Sequence, residues 1–195
     1  MSYRIDAGSA DCYEGTSCLV NKFGIRDEDK LAEVEAAITF AKATELEVSP
    51  LPGRFDFEHY RAIHRYLFAE IYTWAGEIRT VDISKKGTRF VPAAQIPTLA
   101  EQCFSRLERL GYLRGLPRGA FVKSVTDFYS VTNMLHPFRE GNGRAQRVFI
   151  TQLVRNAGYD MRFSEIDTDE LMIATIQSAN GVTDRLEQLL DACIH

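Results

Sequence analysis

Apolar positions along the chain recur mostly at helical spacing. From residue 121 onward, Phe121, Val125, Phe128, Thr132 and Leu135 fall on one face, which predicts a helix that stops at about His136, because Pro137 disfavours the α conformation at the residue before it. A second helix is predicted from Arg144 to Asn156, with Val148, Phe149, Leu153 and Val154 as its apolar positions and Gly158 as its stop. Upstream, Asp27 is placed to cap a helix running to about Leu46 with Leu31, Val34, Ile38 and Ala41 inward, and Pro50, Pro52 and Gly53 end it. Asp56 is placed to cap the next helix, with Phe57, Tyr60, Ile63, Leu67 and Ile71 inward. Residues 98–110 (Leu99, Cys103, Leu107 and Leu110 inward), 167–179 and 183–192 supply three more. One segment breaks the pattern. Residues 80–84 alternate, residues 85–88 turn, and Arg89, Phe90 and Val91 return before Pro92, which predicts a β-hairpin. The fold class is therefore mainly α, with a single hairpin. Residues 1–24, rich in Gly, Ser, Asp and Cys, read as an irregular arm, and residues 25–195 as one domain.

Composition narrows the picture only slightly. A chain of 195 residues with 45% hydrophobic content builds one ordinary core. A net charge of −4 argues against a general nucleic-acid binder, and no apolar stretch approaches a membrane span. The N-terminal residues lack a signal-peptide hydrophobic region, and Cys12, Cys18, Cys103 and Cys193 show neither CxxC spacing nor neighbouring His. A reduced, cytoplasmic protein is the expectation.

The chemistry lies in the run from His136 to Arg147, whose sequence is HPFREGNGRAQR. Gly141, Asn142 and Gly143 read as a loop that opens a helix. The free N–H groups there, at the positive end of the helix dipole, make an anion site. Arg144 and Arg147 share a face of the first turn, where the dipole disfavours cations, so two of them make sense around an anion. Glu140 can hold Mg²⁺ that also grips phosphate oxygens, and His136 can accept a proton from a hydroxyl near neutral pH. Each element alone has an ordinary structural use. Their fixed order within one short stretch is what points to phosphate chemistry.

This run resembles the signature of the Fic family, His-x-Phe-x-(Asp/Glu)-Gly-Asn-Gly-Arg-x-x-Arg, and matches it at every defined position. The similarity extends to residues 63–79 and 157–159 and covers about residues 20 to 192. The resemblance implies a Fic fold and a protein adenylyltransferase that moves AMP from ATP, with Mg²⁺, to a Tyr, Thr or Ser hydroxyl of a target protein. It implies His136 as base, Phe138 as an inward anchor and Glu140 as metal ligand. Gly141, Asn142 (through its side chain) and Gly143 would cradle phosphates, Arg144 would take the β- and γ-phosphates, and Arg147 the γ-phosphate. The hairpin would be a flap that pairs with the target through Val81, Asp82, Ile83, Ser84 and Lys85.

Many Fic proteins are restrained by a helix carrying (Ser/Thr)-x-x-x-Glu-(Gly/Asn). Here Glu14-Gly15 has Ala10 at the Ser/Thr position, and Thr183-x-x-x-Glu187 is followed by Gln188. The resemblance thus implies restraint by a separate small antitoxin bearing that helix, and a type II topoisomerase subunit as the first candidate target. Two alternatives stand beside it. One is transfer of another phosphoryl-type group, although related kinases of this fold carry Lys where this chain has Gly143. The other is a binding module without catalysis, which an altered His136, Glu140 or Arg144 would have favoured.

Overall fold

A computed structural model describes residues 11–195. The described residues form seven α-helices: α1 (Glu28–Val48), α2 (Phe57–Phe68), α3 (Ile96–Arg109), α4 (Arg118–Leu135), α5 (Asn142–Asn156), α6 (Thr168–Ala179) and α7 (Asp184–Cys193). Strands β1 (Ser84–Lys85) and β2 (Thr88–Arg89) make an antiparallel hairpin. Asp27, Asp56 and Asp167 each cap the following helix, accepting from backbone N–H groups of its first turn. The mainly helical architecture and its one hairpin agree with the hydrophobic pattern.

Helix α4 runs through the middle of the molecule, against α3, α5, α6 and α7, while α5 also packs on α1 and α2. All five predicted inward positions of α4 are buried. Aromatic rings fill the space between α2, α3, α4 and α5. Tyr60 lies 5.3 Å from Phe138 and 5.4 Å from Phe149, and Phe104 lies 5.5 Å from Phe128. Edge and offset contacts of this kind add to the burial term.

Several boundaries and faces differ from the pattern. On α1 the buried positions are Leu31, Glu35, Thr39 and Leu46. Val34 and Ile38 are only half-buried and Ala41 is exposed. The stripe is rotated because two polar residues, Glu35 and Thr39, take inward places. On α3, Leu107 is buried, Leu99 and Cys103 are half-buried and Leu110 is exposed. The turn of the hairpin is two residues, not four. Lys85 pairs with Thr88, and Lys86 and Gly87 both have positive φ (48° and 83°), the geometry of a type I′ turn. Residues 80–83 lie outside the strands, and Ile83 is buried.

Of the predicted N-terminal arm, residues 1–10 lie outside the described residues. Beyond them the chain folds back on itself through a bridge between Cys12 and Leu19 and bonds to the core through Lys22 N–H and the Ile71 carbonyl, 2.8 Å apart. All four cysteines are unpaired with one another. No helix among the described residues is long and apolar enough to cross a membrane.

The ring of Phe138 ties the α4–α5 connection into the core, where it is fully buried. Phe138→Ala should therefore lower unfolding free energy by about 3–5 kcal/mol in urea denaturation. A loss below about 1 kcal/mol would show that the connection is held by other means.

Candidate active site

The connection between α4 and α5 places the predicted residues. Helix α4 ends at Leu135, and His136 turns into the left-handed region (φ 41°, ψ 59°). Such a backbone costs about 1–3 kcal/mol in a non-glycine residue. Arg79 supports it. Its backbone N–H donates to the Pro137 carbonyl (2.9 Å), and its Nε donates to the His136 carbonyl (2.8 Å). The same guanidinium donates to the Val81 (2.7 Å) and Val91 (2.5 Å) carbonyls, on either side of the hairpin. One buried arginine thus joins His136 to both ends of the flap.

The Asn142 side chain closes the connection. Its Oδ1 accepts from Phe138 N–H at 2.8 Å and its Nδ2 donates to the Phe138 carbonyl at 2.7 Å. The side chain that the resemblance assigns to phosphate thus engages the Phe138 backbone at both polar ends, through one of its two amide hydrogens. Helix α5 also starts earlier than predicted, at Asn142, so Gly143 lies in the first turn and not in a loop. Gly141 remains outside the helix at φ 79°, and a Cβ there would sit 2.1 Å from the Phe68 ring. Glycine is thus required both for conformation and for space. No side chain among the described residues caps α5, and the N–H groups of its first turn point to where an anion is favoured.

His136 is 6% exposed, and burial pushes its imidazole down to about 3, with Lys85 and Arg79 nearby acting in the same direction. The ring is neutral at physiological pH. Its Nδ1 lies 2.9 Å from the Asn133 carbonyl, which only a protonated Nδ1 can satisfy, so Nε2 carries the lone pair. Phe90 stacks on the ring at 3.7 Å with an interplanar angle of 12°. The sequence predicts a residue that accepts a proton near neutral pH; the buried ring is in the neutral form there, its proton affinity lowered by burial.

Glu140 is held from two sides. Its carboxylate accepts from Gly141 N–H at 2.8 Å, and its carbonyl meets His64 Nε2 at 2.9 Å. His64 Nδ1 accepts from Gly76 N–H at 2.9 Å, which fixes Nε2 as the protonated nitrogen. The ring stacks on Phe138 at 3.8 Å and is neutral, its proton affinity pushed down to about 3 by burial. Burial and the neighbouring Glu35 raise the Glu140 carboxyl above its usual range. An anionic carboxylate in that setting favours a cation. One or two carboxylates are what Mg²⁺ usually takes from a protein when phosphates and waters supply the other ligands. Among the described residues, no group of three or more acidic, His or Cys side chains forms a metal cage.

Arg144 and Arg147 project from the first turns of α5. Arg144 pairs with Glu35 and lies 3.5 Å from Glu140, while its other donor group reaches Thr39 Oγ1 at 3.2 Å. Arg147 has no acidic partner among the described residues, and burial lowers its proton affinity, although the guanidinium stays charged. Lys85, Phe90, His136, Gly143, Gln146 and Arg147 line one cavity of about 210 Å³ that continues to α6. A larger apolar groove of about 700 Å³ between α3 and α4 contains none of the signature side chains. The flap residues are divided. Lys85 lines the cavity, Val81 offers its carbonyl to Arg79, Ile83 is buried, and Asp82 accepts from Ala93 N–H at 2.7 Å.

Sequence reasoning missed Glu35, Thr39, His64, Tyr72 and Arg79. The signal that could have found the first two is a pair of polar residues at i and i+4 in line with Leu31 on α1.

The family model described as Fic/DOC matches residues 54–154, which contain α2, the hairpin, α4 and most of α5. The chain is 38% identical over 185 residues to "Protein adenylyltransferase VbhT" of Bartonella schoenbuchensis. That match covers 94% of this chain but only 39% of the relative. It is also 38% identical over 172 residues to "Probable protein adenylyltransferase y4lH" of Sinorhizobium fredii, covering 87% of this chain and 88% of the relative. Among solved structures, BepC of Bartonella tribocorum with bound AMPPNP superposes with a TM-score of 0.89 at 29% identity, over 95% of this chain and 96% of that one. With the signature, the helical core and the hairpin all matched, the chain belongs to the Fic/DOC family.

Proposed function

We propose that this chain is a protein adenylyltransferase that moves AMP from ATP to a Tyr, Thr or Ser hydroxyl of a target protein. The observation that carries the reading is the juxtaposition, in one cavity, of a neutral His136 in the tautomer with its lone pair on Nε2, Gly143 at an uncapped helix N-terminus, and Arg147, with Arg144 beside Gly143 on the same first turn. The names of the two adenylyltransferase relatives and the AMPPNP bound to BepC support it.

In this mechanism the α5 N-terminus and Gly143 hold the phosphates, while Arg144 and Arg147 bind the outer ones. Glu140 would hold Mg²⁺, which supplies charge neutralisation at the phosphates when bound. His136 Nε2 takes the proton of the target hydroxyl as its oxygen attacks the α-phosphorus, and pyrophosphate leaves. Phosphate charge beside the imidazole raises its proton affinity from the low value it has in the bare site. Nδ1–H remains on the Asn133 carbonyl throughout, so the ring keeps its orientation. The flap places the acceptor, its short hairpin offering main-chain groups to an extended target segment.

Restraint is proposed to come from a separate antitoxin with a Glu-bearing helix, making this chain the toxin of a pair. A groove of about 520 Å³ along α1 and α5 runs past Phe40, Thr39, Arg144, Arg147, Arg155 and Arg162. Its basic lining and the exposed Phe40 suit an amphipathic helix with an acidic face. A type II topoisomerase subunit is the first target to test, and a reducing cytoplasm is the proposed compartment.

Incubated with bacterial lysate, the chain should transfer label from α-³²P-ATP and not from γ-³²P-ATP. His136→Ala should lower transfer by at least about a hundredfold while ATP binding persists. Transfer of γ-label would identify a kinase, and an active His136→Ala variant would remove the base assignment.

The pH dependence follows from the buried imidazole. The folded proton affinity of His136 lies far below the 6.5 of a free ring, so the ring stays neutral as pH falls through 6.5. The kcat/KM profile for AMP transfer should show no loss centred near 6.5. A tenfold fall between pH 7 and 5.5 with that midpoint would mean that the ring is solvated in the working enzyme.

A further inference from the structure

A carboxylate from α1 reaches Arg144 at the start of α5. Glu35 is buried, and its two oxygens have different partners. Oε1 accepts from Arg144, and Oε2 accepts from the Tyr72 phenol at 2.5 Å. Tyr72 is itself buried and stacked on Trp74 at 4.2 Å. One turn further along α1, Thr39 donates to the Glu35 backbone carbonyl at 2.7 Å and accepts from the second Arg144 donor group at 3.2 Å. The Phe68 ring lies 4.8 Å from the guanidinium carbon. Arg144 is thus gripped by an i, i+4 acceptor pair on one helix and an aromatic ring on another.

We propose that Glu35 is a positioning residue for nucleotide binding, holding Arg144 from α1 so that its remaining donors meet the β-phosphate of a nucleoside di- or triphosphate. This rests on the adenylyltransferase reading of the site. A guanidinium has five N–H donors in a rigid plane, so satisfying some of them from α1 fixes the direction of the rest. A long side chain fixed before the ligand arrives loses less freedom on binding. Glu35 also balances a cation placed where the α5 dipole opposes one. The Tyr72 bond separates this role from that of a competitor. A carboxylate that blocked phosphate would have to yield to it, whereas Glu35 is buried and held on its other oxygen by a buried phenol.

The test is calorimetric binding of ADP and AMP to the full chain with Mg²⁺ present. Glu35→Gln keeps the shape and removes the charge. It should raise the Kd for ADP by about tenfold, the loss of one charge-assisted contact, and leave AMP unchanged, since AMP has no β-phosphate. In an Arg144→Ala background, Glu35→Gln should add nothing. Tyr72→Phe, which keeps the ring stack and frees Oε2, should weaken ADP by about threefold, and it decides the matter if Glu35→Gln does not fold. Unchanged or tighter ADP binding in Glu35→Gln would overturn the proposal, tighter binding marking Glu35 as a competitor. An equal loss for ADP and AMP would overturn it too, marking the residue as structural. If Arg144→Ala alone leaves ADP binding intact, it is the phosphate role of the arginine that fails.

Discussion

The reversal between α4 and α5 depends on two hydrogen bonds from one side chain. Asn142 satisfies both the N–H and the carbonyl of Phe138, so a tight connection survives where helical bonding has ended and α5 bonding has only begun. With the backbone closed there, Phe138 is committed to the core, and His136 and Glu140 are held on either side of a fixed point. Without that closure, buried backbone groups would be left unpaired at a cost of about 1–3 kcal/mol each. The stack of His64 on Phe138, and the bond from His64 to the Glu140 carbonyl, extend the same anchoring to α2.

The electrostatics of the site come from elements far apart in the chain. Helix α5 opens with two arginines and no capping side chain, an arrangement the helix dipole opposes. Helix α1 answers with Glu35, supported by Tyr72 from the segment after α2. The two carboxylates that face Arg144, Glu35 and Glu140, are not equivalent. The first is committed on both oxygens, and the second bonds a single backbone N–H and lies where burial raises its proton affinity.

Much of this was legible in the sequence, for physical reasons that differ by region. The stripe on α4 is unbroken, so its existence and its inward positions followed from spacing, and its end ahead of Pro137 followed from the proline. The signature residues stood out because a base, an acid, glycines and arginines in fixed order have few structural uses together. The inward face of α1 was misplaced because a hydrophobicity pattern treats Glu35 and Thr39 as outward, and they are inward to serve Arg144. The hairpin turn was too long because nothing in the apolar pattern tells that Lys86 adopts positive φ. The low proton affinity of His136 was not legible because it depends on burial of the ring, on which Phe90 stacks, and on the nearby charges of Lys85 and Arg79, which come from segments distant in the chain.

The grip of Arg79 on the flap is made through main-chain carbonyls of Val81 and Val91, and through that of His136. Every amino acid carries a carbonyl, so this attachment does not depend on which side chains occupy the hairpin. Substitutions between residues 81 and 91 can therefore accumulate on the outer face without loosening the backbone at His136. Descendants of such a scaffold can change the outer surface of the hairpin while the backbone around His136 is inherited intact.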